Sequence, residues 1–203
     1  MKTDNHNLPA KLKLRRYFLQ RYHAGTRPQV LDCCQGGGRI WTSLARDFEV
    51  DCWGLDLKPK KGRLRLDSIR VLAQSGWTQD VIDIDTYGSP WKHWRAMLPN
   101  VKKPTTVFLT YGTAGPNQVH LGREELDAIG ITFDRVRKMS GAITHRLLPL
   151  AIPYCLSAAS RHGLRIVEAQ EAISDGNARY FGLRLEPAAQ SLIQTPNTAS
   201  ASN

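Results

Sequence analysis

The sequence contains no apolar run of the roughly 18 residues that a membrane-spanning helix needs. Its opening residues, 1–6, hold no apolar stretch of the kind that marks a secretory signal. Cysteine is scarce. The four present (Cys33, Cys34, Cys52, Cys155) form no C-x-x-C pair and no regular spacing, which excludes a disulfide framework and reads as buried thiols in a reducing, cytoplasmic compartment. No His/Cys cluster has zinc spacing, so no metal site is expected. No stretch fits G-x-x-x-x-G-K-[ST], which excludes an ordinary P-loop ATPase. Acid is also in short supply: 18 Asp and Glu stand against 28 Lys and Arg in 203 residues, a net charge of +10. That excess points to an anionic partner, nucleic acid first, and to no membrane. At 41% hydrophobic residues the chain affords a normal core, and wholesale disorder is excluded.

Residues 8–23 place Leu8, Leu12, Leu14, Phe18, Leu19 and Tyr22 mostly on one helical face, with Lys11, Arg15, Arg16 and Arg21 elsewhere. This predicts a basic amphipathic helix within residues 1–27, packed on the domain that follows. Strands are expected at 29–34, 50–57, 64–66, 80–85 and 105–111. Helices are expected from 40 to 48, from 67 or 68 to 73, and at 123–129 and 133–139. A longer apolar helix at 143–162 must accommodate Pro149 and Pro153. Strands at 164–173 and 178–185 flank Ser-Asp-Gly-Asn, a hairpin turn signal. The uncharged stretch 187–203, rich in Ala, Ser, Thr, Asn and Pro, reads as a disordered tail. The order predicts an α/β, Rossmann-like doubly wound domain over 28–186. Its mostly parallel seven-stranded sheet would carry a C-terminal antiparallel hairpin and helices on both faces.

Asp32-Cys33-Cys34-Gln35-Gly36-Gly37-Gly38 sets an acid four residues before three glycines, directly after a strand. Glycine permits the tight strand-to-helix turn and close approach of a ligand to the backbone. A nicotinamide dinucleotide site wants Gly or Ala at the sixth position of its fingerprint, where this chain has the obstructing Trp41. Asp56 ends the second strand, about 20 residues on, where a carboxylate accepts both hydroxyls of a ribose. The bland alternatives are a glycine turn that binds nothing and a surface acid beside Lys58, Lys60 and Lys61. Asp67 reads equally as a helix N-cap.

On this alternation, and on Asp32, Gly36, Gly38, Asp56 and Asp67-Ser68-Ile69, the chain resembles the class I S-adenosylmethionine-dependent methyltransferases over roughly residues 28–186. The resemblance implies S-adenosyl-L-methionine (SAM) as cofactor. Asp32 would support the turn or the methionine amino group, and Cys34 and Gln35 would lie by the methionine part. Gly36 and Gly38 would border the cofactor, Asp56 and Leu57 would serve the ribose, and Asp67 and Ser68 the adenine edge, with Ile69 on the ring. The chain departs from the family between its second and third strands. There a short basic loop, 58–63, replaces a helix and leaves the adenine side open.

Asp83 and Asp85 alternate on one strand and so face the same side, near the carboxyl end where parallel sheets place their ligands. With Thr86-Tyr87-Gly88-Ser89-Pro90 they resemble the fourth motif of amino-methylating enzymes. They resemble still more the D-x-D-P-[FY]-G-S-P segment of tRNA guanine-26 N2-dimethyltransferases, with Thr86 in place of the family's proline. The resemblance implies methylation of an exocyclic nucleobase amine in RNA or DNA. Asp85 would be the catalytic contact to the amine and Tyr87 the platform for the base. No pattern of a second domain follows the hairpin, so amine methylation is implied more firmly than that tRNA position. The alternatives are strand-end acids that cap a turn, a protein or small-molecule methyltransferase, and a catalytically silent nucleic-acid-binding module. Trp91, Lys92, His93, Trp94 and Arg95 interleave bases with aromatics, which suits either stacking on nucleic acid or a helix start with its tryptophans in the core. Arg123, Arg135, Arg137, Lys138 and Arg146 charge the segment after the fifth strand, as a substrate clamp or a solvated face.

Overall fold

A computed structural model describes residues 7–58, 64–112, 121, 123–132, 141–173 and 178–188. The expected helix at 133–139, the hairpin turn at 174–177 and the tail beyond 188 lie outside them. The elements run α1 (Leu8–Tyr22), β1 (Gln29–Asp32), α2 (Arg39–Leu44), β2 (Asp51–Asp56), β3 (Leu64–Arg65), α3 (Ser68–Leu72), β4 (Val81–Ile84) and α4 (Trp91–Met97), followed by β5 (Thr105–Gly112), α5 (Arg123–Ala128), α6 (Gly141–Leu156), β6 (Leu164–Ile173) and β7 (Ala178–Pro187).

The strands hydrogen-bond in the order β3-β2-β1-β4-β5-β7-β6. The first five are mutually parallel, β7 runs antiparallel to β5, and β6 antiparallel to β7. From β1 the chain winds outward to β2 and β3, then returns to lay β4 on β1's other side. The β1/β4 seam is therefore the switch point, and the crevice beyond its carboxyl ends is where open α/β sheets bind ligands.

Side-chain alternation splits the core in two. Leu31, Ile82, Ile84, Val107 and Leu109 face the larger half, with Leu72 of α3, Trp94 of α4, Leu126 of α5 and Ile152 of α6. Val30, Val81 and Phe108 face the other way, onto Leu14 and Phe18 of α1 and Ile40, Trp41 and Leu44 of α2. Burial of Leu14, Phe18 and Leu19 contributes about 2 kcal/mol each to the docking of α1. Gly182 of β7 admits that docking, because a Cβ there would collide with the Phe18 ring. The expectation that Lys11 and Arg15 lie off the packed face of α1 is wrong: both are buried.

Several boundaries also differ from expectation. Helix α2 ends at Leu44 rather than 48, and β3 has two residues. The helix expected at 143–162 is α-helical from Gly141 to Leu156, with Pro149 and Pro153 inside it, and then tightens into a 3-10 turn from Ser157 to His162. Gly163, at φ 68°, closes it in the left-handed conformation that glycine adopts freely. Among the described residues no helix covers the edge formed by β2 and β3, where Trp53, Leu57 and Leu66 are exposed. All four cysteines are free thiols. Among the described residues no helix is long and apolar enough to cross a membrane.

Candidate active site

The alternation that sends Leu31, Ile82 and Ile84 into the larger core turns Asp32, Asp83 and Asp85 toward α1. Asp32 and Asp83 are direct partners across the β1/β4 seam. Three neighbouring carboxylates under a helix call for positive charge, and α1 supplies it. Arg15 donates through Nε (2.8 Å) and Nη2 (2.6 Å) to the two oxygens of Asp83, and the Trp41 indole N–H donates to Asp83 as well, at 2.8 Å. The Lys11 ammonium lies 2.6 and 2.7 Å from the two oxygens of Asp85. Burial alone would lower the pKa of Arg15, but the contact with Asp83 outweighs it and raises the value. Asp32 accepts from the Cys34 amide at 3.3 Å. Burial first, then the charges of Asp83 and Asp85, push its carboxyl well above the usual carboxylate range.

The glycine turn closes on the next strand. The Cys33 amide donates to the Asp83 carbonyl (2.8 Å) and the Gln35 amide to the Leu55 carbonyl (3.0 Å), which carries backbone bonding past the strand ends on both sides of β1. Gly36 and Gly38 adopt φ of 50° and 68°. The Gly36 amide donates to Asp56 Oδ2 at 2.9 Å, and the Lys58 amide to Oδ1 at 2.8 Å. Asp56 thus pins the turn from the end of β2, and each of its oxygens keeps a lone pair. The Gln35 side chain occupies the space a Cβ on Gly54 would take, so a bare position in β2 makes room for it. Glycine inside a strand often marks such a close approach, and this was the available signal for Gly54. Leu57 is exposed beside Asp56. Burial pushes the Cys34 thiol up.

Asp67 caps α3, accepting from the Ile69 amide at 3.0 Å. Ser68 is buried, and its hydroxyl lies 3.0 Å from His93 Nε2. Burial lowers the pKa of His93.

After β4 the Thr86 hydroxyl donates to the Thr110 carbonyl of β5 at 3.2 Å, and the Gly112 amide donates to the Gly88 carbonyl at 2.9 Å. The loop is therefore tied to β5 by a side chain that proline lacks. Gly88 has φ 105°, a value that favours glycine. Between these anchors Tyr87 is 88% exposed. Trp91 and Trp94 are fully buried, which removes the reading of them as stacking surfaces. Trp94 donates its indole N–H to the Cys155 carbonyl at 3.0 Å. The structure thus gathers Asp32, Gly36, Asp56 and Asp85 around the switch point and adds Lys11, Arg15 and Trp41. Among the described residues no group of His, Cys, Asp and Glu is disposed to hold a metal ion.

No protein-family model and no curated protein matches the chain. Solved structures do. Trm1 from Pyrococcus horikoshii, in complex with SAM, is similar at a TM-score of 0.60 and 15% identity, over 90% of this chain and 55% of that one. The plantazolicin methyltransferase BamL, in complex with a triazolic desmethylPZN analogue and SAH, is similar at 0.55 and 9% identity, over 89% of this chain and 86% of that one. TrmN from Thermus thermophilus is similar at 0.51 and 16% identity, over 89% of this chain and 52% of that one. The chain therefore spans about half the length of Trm1 and TrmN. At these identities the likeness establishes the fold alone, which the chain shares with these structures.

Proposed function

We propose that this chain is a SAM-dependent methyltransferase acting on an exocyclic amine of a nucleobase in RNA or DNA, with residues 28–186 as the catalytic domain. The observation that carries the reading is the position of the Asp85 carboxylate. It follows β4 at the switch point, on the side of the Gly36 turn, two residues before the exposed Tyr87.

The donor set fits SAM. Asp56 has lone pairs left for two hydroxyls after closing the turn. Asp32 is a buried acid whose pKa is raised by burial and then by the charges of Asp83 and Asp85, and an arriving cation favours its ionised form. Leu57, exposed beside Asp56, offers an apolar contact to a flat base. Bound there, SAM would supply an activated methyl group, with the neutral thioether as the leaving group. The chain's own residues do the rest. Tyr87 offers a ring on which the target base stacks. Asp85 accepts a hydrogen bond from the amine, whose delocalised lone pair makes it a poor nucleophile, and so orients the nitrogen for attack. Once methylated, the nitrogen would be cationic. One of its protons then passes to Asp85 and on to water. Thr86 holds this loop on β5 and takes over the rigidity that the family draws from proline.

Exposed Lys58, Arg65, Lys92 and Arg146 put positive charge at the surface for a phosphate backbone. A second reading, methylation of a small molecule or a protein, draws support from BamL, whose length the chain matches better than that of Trm1. Calorimetry with SAM and with its demethylated product tests the shared premise. Binding of both is expected, and binding of neither would remove both readings. Salt then separates the two. Transfer to nucleic acid should weaken steeply as salt rises, and transfer to a small neutral substrate should not.

A further inference from the structure

We infer that Lys11 is a positioning residue for Asp85, which makes the N-terminal helix part of the catalytic site. The inference rests on the methyltransferase reading above. Asp85 lies one residue beyond β4, so the strand ladder no longer fixes it. What holds its carboxylate is the Lys11 ammonium, within 2.7 Å of both oxygens. The ammonium is in turn placed by the Tyr180 ring, 5.1 Å away, and by a helix docked through Leu14, Phe18 and Leu19.

The arrangement is poorly explained as a device for stability. Burying a Lys–Asp pair gains little over an apolar pair of the same volume, and ordering a lysine side chain costs about 2 kcal/mol of rotamer entropy. α1 already has its apolar anchor. The pair is also asymmetric. The Lys11 side chain is 5% exposed and that of Asp85 16%, so the cation is the inner member and the carboxylate opens outward. A cation placed to meet a phosphate backbone would have the reverse order. Held at both oxygens, Asp85 has one defined plane and a lone pair left on each oxygen for an incoming N–H. Lys11 thus sets the direction from which the amine is held, without touching it.

The test compares Lys11→Met, Lys11→Gln and Lys11→Arg with Arg16→Met. Arg16 lies on the same helix but pairs with Asp47 at the surface, so its loss removes one charge away from Asp85. The readouts are kcat, KM for the nucleic acid and the dissociation constant for SAM. Lys11→Met is expected to lower kcat about 30-fold, with KM and SAM affinity within about threefold of wild type. Lys11→Gln keeps one N–H donor, which protects the fold, and should fall between. Lys11→Arg, able to grip both oxygens, should recover most of kcat. Arg16→Met should match wild type in kcat. Lys11→Met or Lys11→Gln with wild-type kcat would overturn the inference. So would a loss confined to KM and equalled by Arg16→Met, since the charge would then only recruit substrate. Wild-type protein that transfers methyl groups while its Lys11 variants are silent on kcat refutes the inference alone. Wild-type protein that binds no SAM refutes the methyltransferase reading, and the inference with it.

Discussion

Arg15 and Asp83, 68 residues apart in sequence, meet in a two-pronged ion pair with each side chain 1% exposed. Asp83 also receives the Trp41 indole N–H, and Arg15 lies with its guanidinium carbon 4.9 Å from the centre of the Phe108 ring. One contact therefore joins α1, α2, β4 and β5 beneath the proposed catalytic loop. Removing one partner strands the other's charge in a dry interior. Arg15→Met is expected to destabilise the fold by about 3 kcal/mol, read as a fall in the urea midpoint. Adding Asp83→Asn should restore much of that loss. Equal stability of wild type and Arg15→Met would show that the pair is not the clamp described.

Asp32 gives a prediction of opposite sign. Its folded-state pKa is raised, by burial first and then by Asp83 and Asp85. The folded state thus holds a proton the unfolded chain gives up near the ordinary carboxylate value. Relative stability is highest below that value and is lost as pH rises toward the folded-state pKa. Asp32→Asn escapes the loss and still offers Oδ1 to the Cys34 amide. Its melting temperature should exceed wild type by about 3–6 °C at pH 8, and the gap should close toward pH 4. SAM affinity should fall in the same variant. A gap independent of pH would contradict the raised pKa of Asp32.

Asp56 couples the turn to the ligand. Asp56→Ala removes the acceptor for the Gly36 and Lys58 amides together with the proposed contacts to the ribose. Calorimetry should show SAM affinity reduced about 100-fold, as for two lost charge-assisted hydrogen bonds. The melting temperature should drop only slightly, since the site lies at the solvent edge. Unchanged affinity would place the ribose elsewhere.

Thr86→Val tests whether the loop is held as described. It keeps the shape of the side chain and removes the hydroxyl bond to the Thr110 carbonyl, at a cost of about 1 kcal/mol in stability. Its larger effect should be on kcat, through Tyr87 and Asp85 on either side. Full activity with a normal melting temperature would mean that the hydroxyl does not organise the loop.

The strand–helix alternation and the shared face of Asp83 and Asp85 were legible because both are periodicities, and a period-2 strand next to a glycine turn admits few arrangements. Residues 59–63 of the short loop lie outside the described residues, and Trp53, Leu57 and Leu66 beside it are exposed. Lys11 and Arg15 were not legible. On a helical wheel a cation beside an apolar stripe reads as solvated, and the carboxylates that make burial tolerable lie 74 and 68 residues away. Trp91 and Trp94 are ambiguous in the sequence for a related reason. Aromatic residues interleaved with bases suit a nucleic-acid surface and an amphipathic helix equally, and the larger core took both rings. Gly54 inside a strand signals a close approach, but that the Gln35 side chain makes it depends on how the glycine turn packs on β2.

The central claim is that Asp85 presents an exocyclic nucleobase amine to the methyl group of SAM. The most direct measurement is incorporation of labelled methyl from SAM into mixed tRNA, rRNA, DNA and protein by wild type and Asp85→Asn, with the labelled product digested and the modified atom assigned. With wild type, label is expected on an exocyclic base amine. With Asp85→Asn, a rate at least about 100-fold lower is expected, and SAM affinity within a few fold of wild type. Label on protein, on a ring nitrogen or on carbon, or full transfer by Asp85→Asn, would contradict the claim.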